Sequence, residues 1–223
     1  DAETVYSIPL LLYGQRVDKI LLRKLNLLKI RSPRLNDWKR VVDAKLNPKK
    51  KVSIAVVGKY IDLKDSYKSL NEALDHAGII NLAEVEINMI DAAKITKANV
   101  AKILKSYQAI LIPGGFGSRG IEGMINACKY ARENKLPYFG ICLGMQIAII
   151  EFSRNVLHLK NANSTEFSQK TKYPVIGLVT EWKDASGKME HRTEDSDLGG
   201  TMRLGGQECL VKKSSMSHKL YKK

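Results

Sequence analysis

Residues 138–148 read YFGICLGMQIA and place Cys142 in a G-x-C-x-G pattern, after an extended apolar run and before a helical one. This is the form of a nucleophile elbow with cysteine in the place of serine, where glycines let the chain turn sharply and present the side chain outward. A helix starting there aims its first N–H groups at the sulfur, an arrangement that favours a thiolate. The N–H of Leu143 would face a developing oxyanion, and a second glycine turn, Pro113-Gly114-Gly115-Phe116-Gly117, could offer another donor from a neighbouring strand. An isolated cysteine is more often a small buried hydrophobe. The strand, glycine turn and helix around Cys142 tip the reading towards covalent chemistry. Cys128, within a helical pattern, and Cys209, in a late strand-like segment, read as packing residues.

A thiol nucleophile needs a base to take its proton and a carboxylate to orient that base. The chain has four histidines, His76, His158, His191 and His218, followed two positions later by Gly78, Lys160, Thr193 and Leu220. None has a carboxylate at that spacing. His76 is expected near a helix end, His158 and His191 at the surface and His218 in the basic tail.

The elements that must carry these residues alternate. VSIAVVG (52–58) predicts a buried strand, 65–77 a helix with Gly78 just past its end, and EVEINMI (84–90) a second strand. A helix over 96–106 capped by Thr96, a strand over 109–115, a helix over 121–135, a strand over 136–142 and a helix over 143–154 follow. This rhythm predicts an α/β domain with a mainly parallel sheet flanked by helices, incomplete at its C-terminus. Ligands of such sheets collect at the carboxyl ends of the strands, where both glycine turns fall. Later segments are more β-like: 173–182 and 189–193 could form a hairpin around 184–188, 207–211 one short strand, and 214–223 a helix. Residues 1–47 differ, with helical spacing at Val17, Ile20, Leu21, Leu25 and Leu28 and a second helix over 36–46 opened by Asn36 or Asp37. Asn47-Pro48 and the lysines after it read as a linker.

Composition narrows the classes. A length of 223 residues with 44% hydrophobic residues suffices for one large domain with an appendage. No apolar run approaches a membrane span. The cysteines, three and far apart, suggest neither a disulfide framework nor a metal site, and a reducing cytoplasm fits. The formal charge of +14 invites a nucleic-acid reading, but the lysines are scattered without a basic stripe or interleaved aromatics. A solvated lysine-rich surface is the preferred reading. With Asp1 in first place and no signal-like region, the chain is expected to be a cut or processed piece.

PGGFGSRGIEGM (113–124), GICLGMQ (140–146), NANSTEF (161–167), LVTEW (178–182) and SDLGGTMRLG (196–205) together resemble the glutaminase domain of the CTP synthase family, a class I glutamine amidotransferase domain. GICLGMQ alone points only to the superfamily; STEF with SDLGGTMRLG is far more specific. DAETVYSIPLLL (1–12) resembles the end of that family's synthetase domain. The resemblance implies a division into 1–47, the end of the synthetase domain and a helical linker, and 48–223, a partial amidotransferase domain. It implies a ligase that aminates UTP to CTP with glutamine as nitrogen donor and ATP as phosphoryl donor, working as a cytoplasmic homo-tetramer. Cys142 would form the glutamyl thioester, with Gly115 and Leu143 at the oxyanion. Gly115, Leu143, Gly144, Met145, Gln146 and Glu166 would bind glutamine, Glu166 through its α-amino group. Arg119 and Glu122 lie in the segment that answers to the GTP effector, though an ion pair on the turn is an equally good reading. Asp1 and Ala2 match the edge of the ATP adenine site.

The resemblance also implies an H-x-E base pair and a substrate-binding arginine that these residues do not contain, and no phosphate loop of the G-x-x-x-x-G-K-[ST] form is present. ATP and Mg would belong to the synthetase domain, with no cofactor or metal held here. The alternatives are a catalytically incomplete glutaminase-like fragment, a glutaminase of another class I amidotransferase and, more distantly, a nucleic-acid binder.

Overall fold

The computed structural model describes residues 2–27, 30–59, 64–177, 181–183, 189–191 and 208–221. They fall into two compact units, Asp1–Leu178 and Val179–Lys223.

The first unit is built on four parallel strands: β1 (Lys50–Gly58), β2 (Ala83–Asp91), β3 (Ala109–Ile112) and β4 (Tyr138–Gly140). Their order is β2-β1-β3-β4, so the chain reverses direction across the sheet between β1 and β3. Such a switch leaves a crevice outside the carboxyl ends of the strands. The central strands carry Ala55, Val56, Val57, Ile110, Leu111 and Ile112, all buried. That continuous apolar run, rich in Val and Ile, marks a sheet covered on both faces.

Four helices connect or follow the strands: α4 (Lys68–Ile80), α5 (Val100–Leu104), α6 (Ile121–Glu133) and α7 (Leu143–Asn155). Met124, Ile125, Ala127 and Ala131 of α6 join Leu143, Ile147 and Ile150 of α7 in one core with Ile110 and Ile112. Each fully buried aliphatic side chain there contributes roughly 1.5–3 kcal/mol. Before the sheet come α1 (Ile8–Gly14), α2 (Val17–Lys24) and α3 (Asn36–Leu46). This N-terminal segment docks on α4: Tyr6 Oη donates to Glu72 and Asp75, Lys45 pairs with Asp75, and Trp38 Nε1 donates to the Tyr6 carbonyl at 2.6 Å. Burial and the two neighbouring carboxylates raise the Tyr6 phenol above its usual pKa. After α7, β5 (Asn163–Ser164) pairs with β6 (Pro174–Ile176) in a small parallel sheet.

In the second unit β7 (Glu181–Lys183) and β8 (Met189–His191) form an antiparallel hairpin, and α8 (Met216–Tyr221) follows; the strand expected over 173–182 does not form, because 174–176 pairs with β5 instead.

Several expectations need correction. Gly78 is not a helix end but lies inside α4, buried, where a Cβ would come 2.5 Å from the Ala83 carbonyl oxygen. It is there because β2 starts against the helix. The helix over 96–106 shrinks to Val100–Leu104; Thr96 does not cap it, and its own N–H is taken by the Asn99 side chain at 2.7 Å. Asn36 is the first turn of α3 and makes no side-chain cap. Residues 208–211 are irregular rather than a strand. The motif at 196–205 and most of LVTEW lie outside the described residues.

Candidate active site

Cys142 sits where β4 ends and α7 begins, and its backbone is at φ 52°, ψ −103°. A non-glycine residue in that region is strained by roughly 1–3 kcal/mol, and such strain persists only where the surroundings enforce it. Here they do. A Cβ on Gly140 would come 2.4 Å from the Gly144 carbonyl carbon, and one on Gly144 would come 2.1 Å from the Ile112 carbonyl oxygen. The two glycines of G-x-C-x-G let the first turn of α7 press onto β3 and β4, and the cysteine between them takes the strained conformation. The Ile141 N–H donates to the Ile112 carbonyl at 2.9 Å and closes the turn from below. Tyr138 Oη donates to the Gly144 carbonyl at 2.7 Å, clamping the same turn from β4. The Cys142 side chain is left exposed.

The second glycine turn lies beside it. A Cβ on Gly114 would be 3.7 Å from Cys142 Cβ, and one on Gly115 would be 3.3 Å from Leu143 Cδ2. Leu143 is the first residue of α7, so its N–H has no intrahelical acceptor. Cys142, Gly115 and Leu143, singled out in the sequence, thus lie side by side. Gly144 is buried in packing, Met145 is 55% exposed, and Gln146 is half-buried. The Gln146 Oε1 atom is buried with no hydrogen-bond partner among the described residues, an acceptor suited to a ligand's donor.

Glu166 reaches this turn from another direction. The Ser164 carbonyl accepts from the N–H groups of Phe167 and Ser168, and Ser164 Oγ accepts from the Glu166 N–H at 3.2 Å. This tight turn after β5 aims the Glu166 carboxylate at the loop, where Oε1 accepts from the Gly117 N–H at 2.8 Å. Arg119 and Glu122 do not pair with each other. Arg119 donates to the Lys59 carbonyl, and Glu122 accepts from Arg154 at 2.8 Å. Lys59, which sequence reasoning passed over, is buried at the end of β1 against this loop. Its position after a strand-ending glycine was the available signal.

The histidines divide by place. His76 lies on the last turns of α4, which returns to the amino end of the sheet, and its ring faces Tyr6 and Glu72. His158 follows the C-terminal end of α7, a helix of 13 residues, and so stands roughly 20 Å from its start at Cys142. Neither is near the thiol. His191 and His218 belong to the second unit. Ala2 is exposed, and Asp1 lies outside the described residues. No cluster of three potential metal ligands occurs among the described residues, nor does a helix long and apolar enough to cross a membrane.

Residues 62–222 match the family model for glutamine amidotransferase class-I. The chain belongs to that family. Among solved structures it is similar to the glutaminase domain of CTPS from Trypanosoma brucei with bound acivicin, at 35% identity and a TM-score of 0.62. That match covers 76% of this chain and 62% of the trypanosomal one, so the chain spans less than two thirds of the structure it matches. A putative peptidase E protein from Listeria monocytogenes matches at 13% identity over 58% of this chain and 63% of that one, with a TM-score of 0.34, which carries no argument. Within the class I amidotransferases the likeness is thus to a CTP synthase glutaminase domain. The chain's parallel sheet flanked by helices is the fold that the family's motifs imply.

Proposed function

We propose that Cys142 is the nucleophile of a glutamine-hydrolysing site whose ammonia serves the amination of UTP to CTP. In that reading the thiolate attacks the carboxamide carbon of glutamine, and the developing oxyanion accepts from the N–H of Leu143 and from the loop at Gly115. Collapse, with a proton taken from a water molecule, expels ammonia and leaves a glutamyl thioester, which the resulting hydroxide cleaves to glutamate and the free thiol. Gln146, with its unpartnered acceptor, would take an N–H of the substrate. The other carboxylate oxygen of Glu166 would receive the substrate's α-ammonium, a charge-assisted contact. The observation that carries the reading is the strained backbone of Cys142, with an exposed thiol next to a second glycine turn.

The wider role follows the resemblance to the CTP synthase family. ATP and Mg would act on a synthetase domain, GTP would act as effector near Arg119 and Glu122, and the working unit would be a cytoplasmic homo-oligomer.

Acivicin, bound by that relative, is the direct probe. It should label this chain at Cys142, with glutamine slowing the labelling at least tenfold and Cys142→Ala abolishing it. Labelling that ignores glutamine, or falls mainly on Cys209, sinks the proposal. A second reading concerns turnover, and the remoteness of His76 and His158 from the thiol favours it. The site would trap electrophiles yet release ammonia from glutamine no faster than Cys142→Ala does; a clear excess over that variant rejects it.

A further inference from the structure

Lys59 stands at the carboxyl end of the sheet with Cys142, and the proposed chemistry does not use it. It is 4% exposed and is the one buried lysine among the described residues. Taking an ammonium out of water costs several kcal/mol unless acceptors replace the lost hydration. Its acceptors are two successive carbonyls of the glycine loop: Nζ donates to Phe116 at 2.9 Å and also to Gly117. The Phe167 ring covers the same ammonium at 5.8 Å.

The contacts make the loop a filling between two walls. A Cβ on Gly115 would meet Lys59 Cδ at 3.6 Å on one side and Leu143 Cδ2 at 3.3 Å on the other. The aliphatic stem of Lys59 thus backs the stretch of main chain that faces the start of α7. Two more charged side chains close the arrangement. Arg119 donates back to the Lys59 carbonyl, and Glu166 accepts from the Gly117 N–H at 2.8 Å. Burial pushes the ammonium below the usual lysine range, the Glu166 charge pulls it back up, and Arg119 adds to the lowering.

We propose that Lys59 is a positioning residue that latches the 115–117 loop, fixing the peptide planes beside Cys142 in the orientation the oxyanion requires. The inference rests on the reading of Cys142 as a glutaminase nucleophile. A loop of three glycines in five residues has high conformational entropy to lose, and an oxyanion donor is useful only if held before the reaction begins. One ammonium with three donors can hold two carbonyls at once; a methionine of similar reach can fill the space but can hold neither.

The test uses the full chain with Lys59→Met and Lys59→Arg, read by hydrogen exchange and by two alkylating reagents. Exchange of the 113–120 segment should quicken about tenfold in the Met variant, while β3 and the body of α6 change less than twofold. Acivicin labelling of Cys142 should slow about tenfold, and iodoacetamide labelling, which needs no oxyanion loop, should change less than twofold. The Arg variant should recover most of the loss. Unchanged exchange over 113–120 in the Met variant overturns the latch, and so does a quickening spread evenly over the molecule. If the Met variant does not fold, Lys59→Gln decides by the same two criteria. Should wild-type chain show no glutamine-protected acivicin labelling, the glutaminase reading fails on its own, and the exchange comparison still decides the latch.

Discussion

Two cysteines of this chain, 14 positions apart in sequence, have opposite environments. Cys142 is held in a strained turn with its side chain outward, because its flanking glycines are pressed against β3 and α7. Cys128 lies 5% exposed on the core side of α6. Burial, reinforced by the nearby Glu151 charge, pushes its thiol up to about 12. At pH 8 roughly one Cys128 in ten thousand is then a thiolate. Iodoacetamide at that pH should therefore modify Cys142 in the native chain and reach Cys128 only after denaturation. Modification of both at similar native rates shows the core assignment to be wrong. The sign for stability follows from the same shift. The folded thiol titrates later than the unfolded one, near 9, so the stability tied to its neutral form is intact below pH 9. It drains away as pH rises towards 12. Cys128→Ala should flatten that alkaline decline in chemical denaturation curves. Tyr138, whose phenol is raised by its own burial and by Cys128, leaves part of the slope in place.

At the scale of elements, α6 and α7 are joined by more than apolar packing. Glu151, whose side chain is 2% exposed, accepts from Arg132 Nε at 3.0 and 3.1 Å and from Nη2 at 2.8 Å, with Asn155 Nδ2 at 3.1 Å. Removing the arginine alone strands a buried carboxylate, and Arg132→Met should cost about 3 kcal/mol in urea unfolding. The double change Arg132→Met with Glu151→Leu should recover most of that loss; a double variant as unstable as the sum of the singles refutes the account. Glu151 was invisible in the sequence because a single carboxylate in an apolar helix gives no hint of its partner 19 residues earlier. The strands were legible for the opposite reason: buried parallel strands read as near-continuous apolar runs rich in Val and Ile, and VSIAVVG and AILI are such runs. Gly78 misled because a glycine near the end of a helical pattern has two physical uses, a left-handed end and a close approach, and only the neighbour Ala83 distinguishes them. In the site, Cys142, Gly115 and Leu143 could be placed from two glycine turns at strand ends. The latch on Lys59 could not, since its partners are backbone carbonyls with no sequence signature.

For the whole molecule the open question is what an excess of 37 basic over 23 acidic residues does. The one lysine buried among the described residues faces backbone carbonyls of the glycine loop, and the ion pairs elsewhere among them are mostly exposed, such as Lys51 with Glu86 and Lys129 with Glu133. Exposed pairs contribute at most about 1 kcal/mol each and are screened by salt. A net charge of +14 on one chain repels itself, and that repulsion is screened as well. Because repulsion acts across the whole surface while exposed pairs are few and weak, its relief should dominate. The melting temperature is therefore expected to rise by several degrees between 20 and about 300 mM sodium chloride, where the Debye length falls below roughly 10 Å. A dedicated nucleic-acid surface makes a different demand: cations gathered on one face would give DNA binding that falls steeply and linearly with log salt. With the cations scattered, binding to duplex DNA should be weak at low salt and gone near 150 mM. A melting temperature that falls with salt, or DNA binding that persists at 150 mM with a slope of several charges, would falsify the reading of this surface as a solvating one.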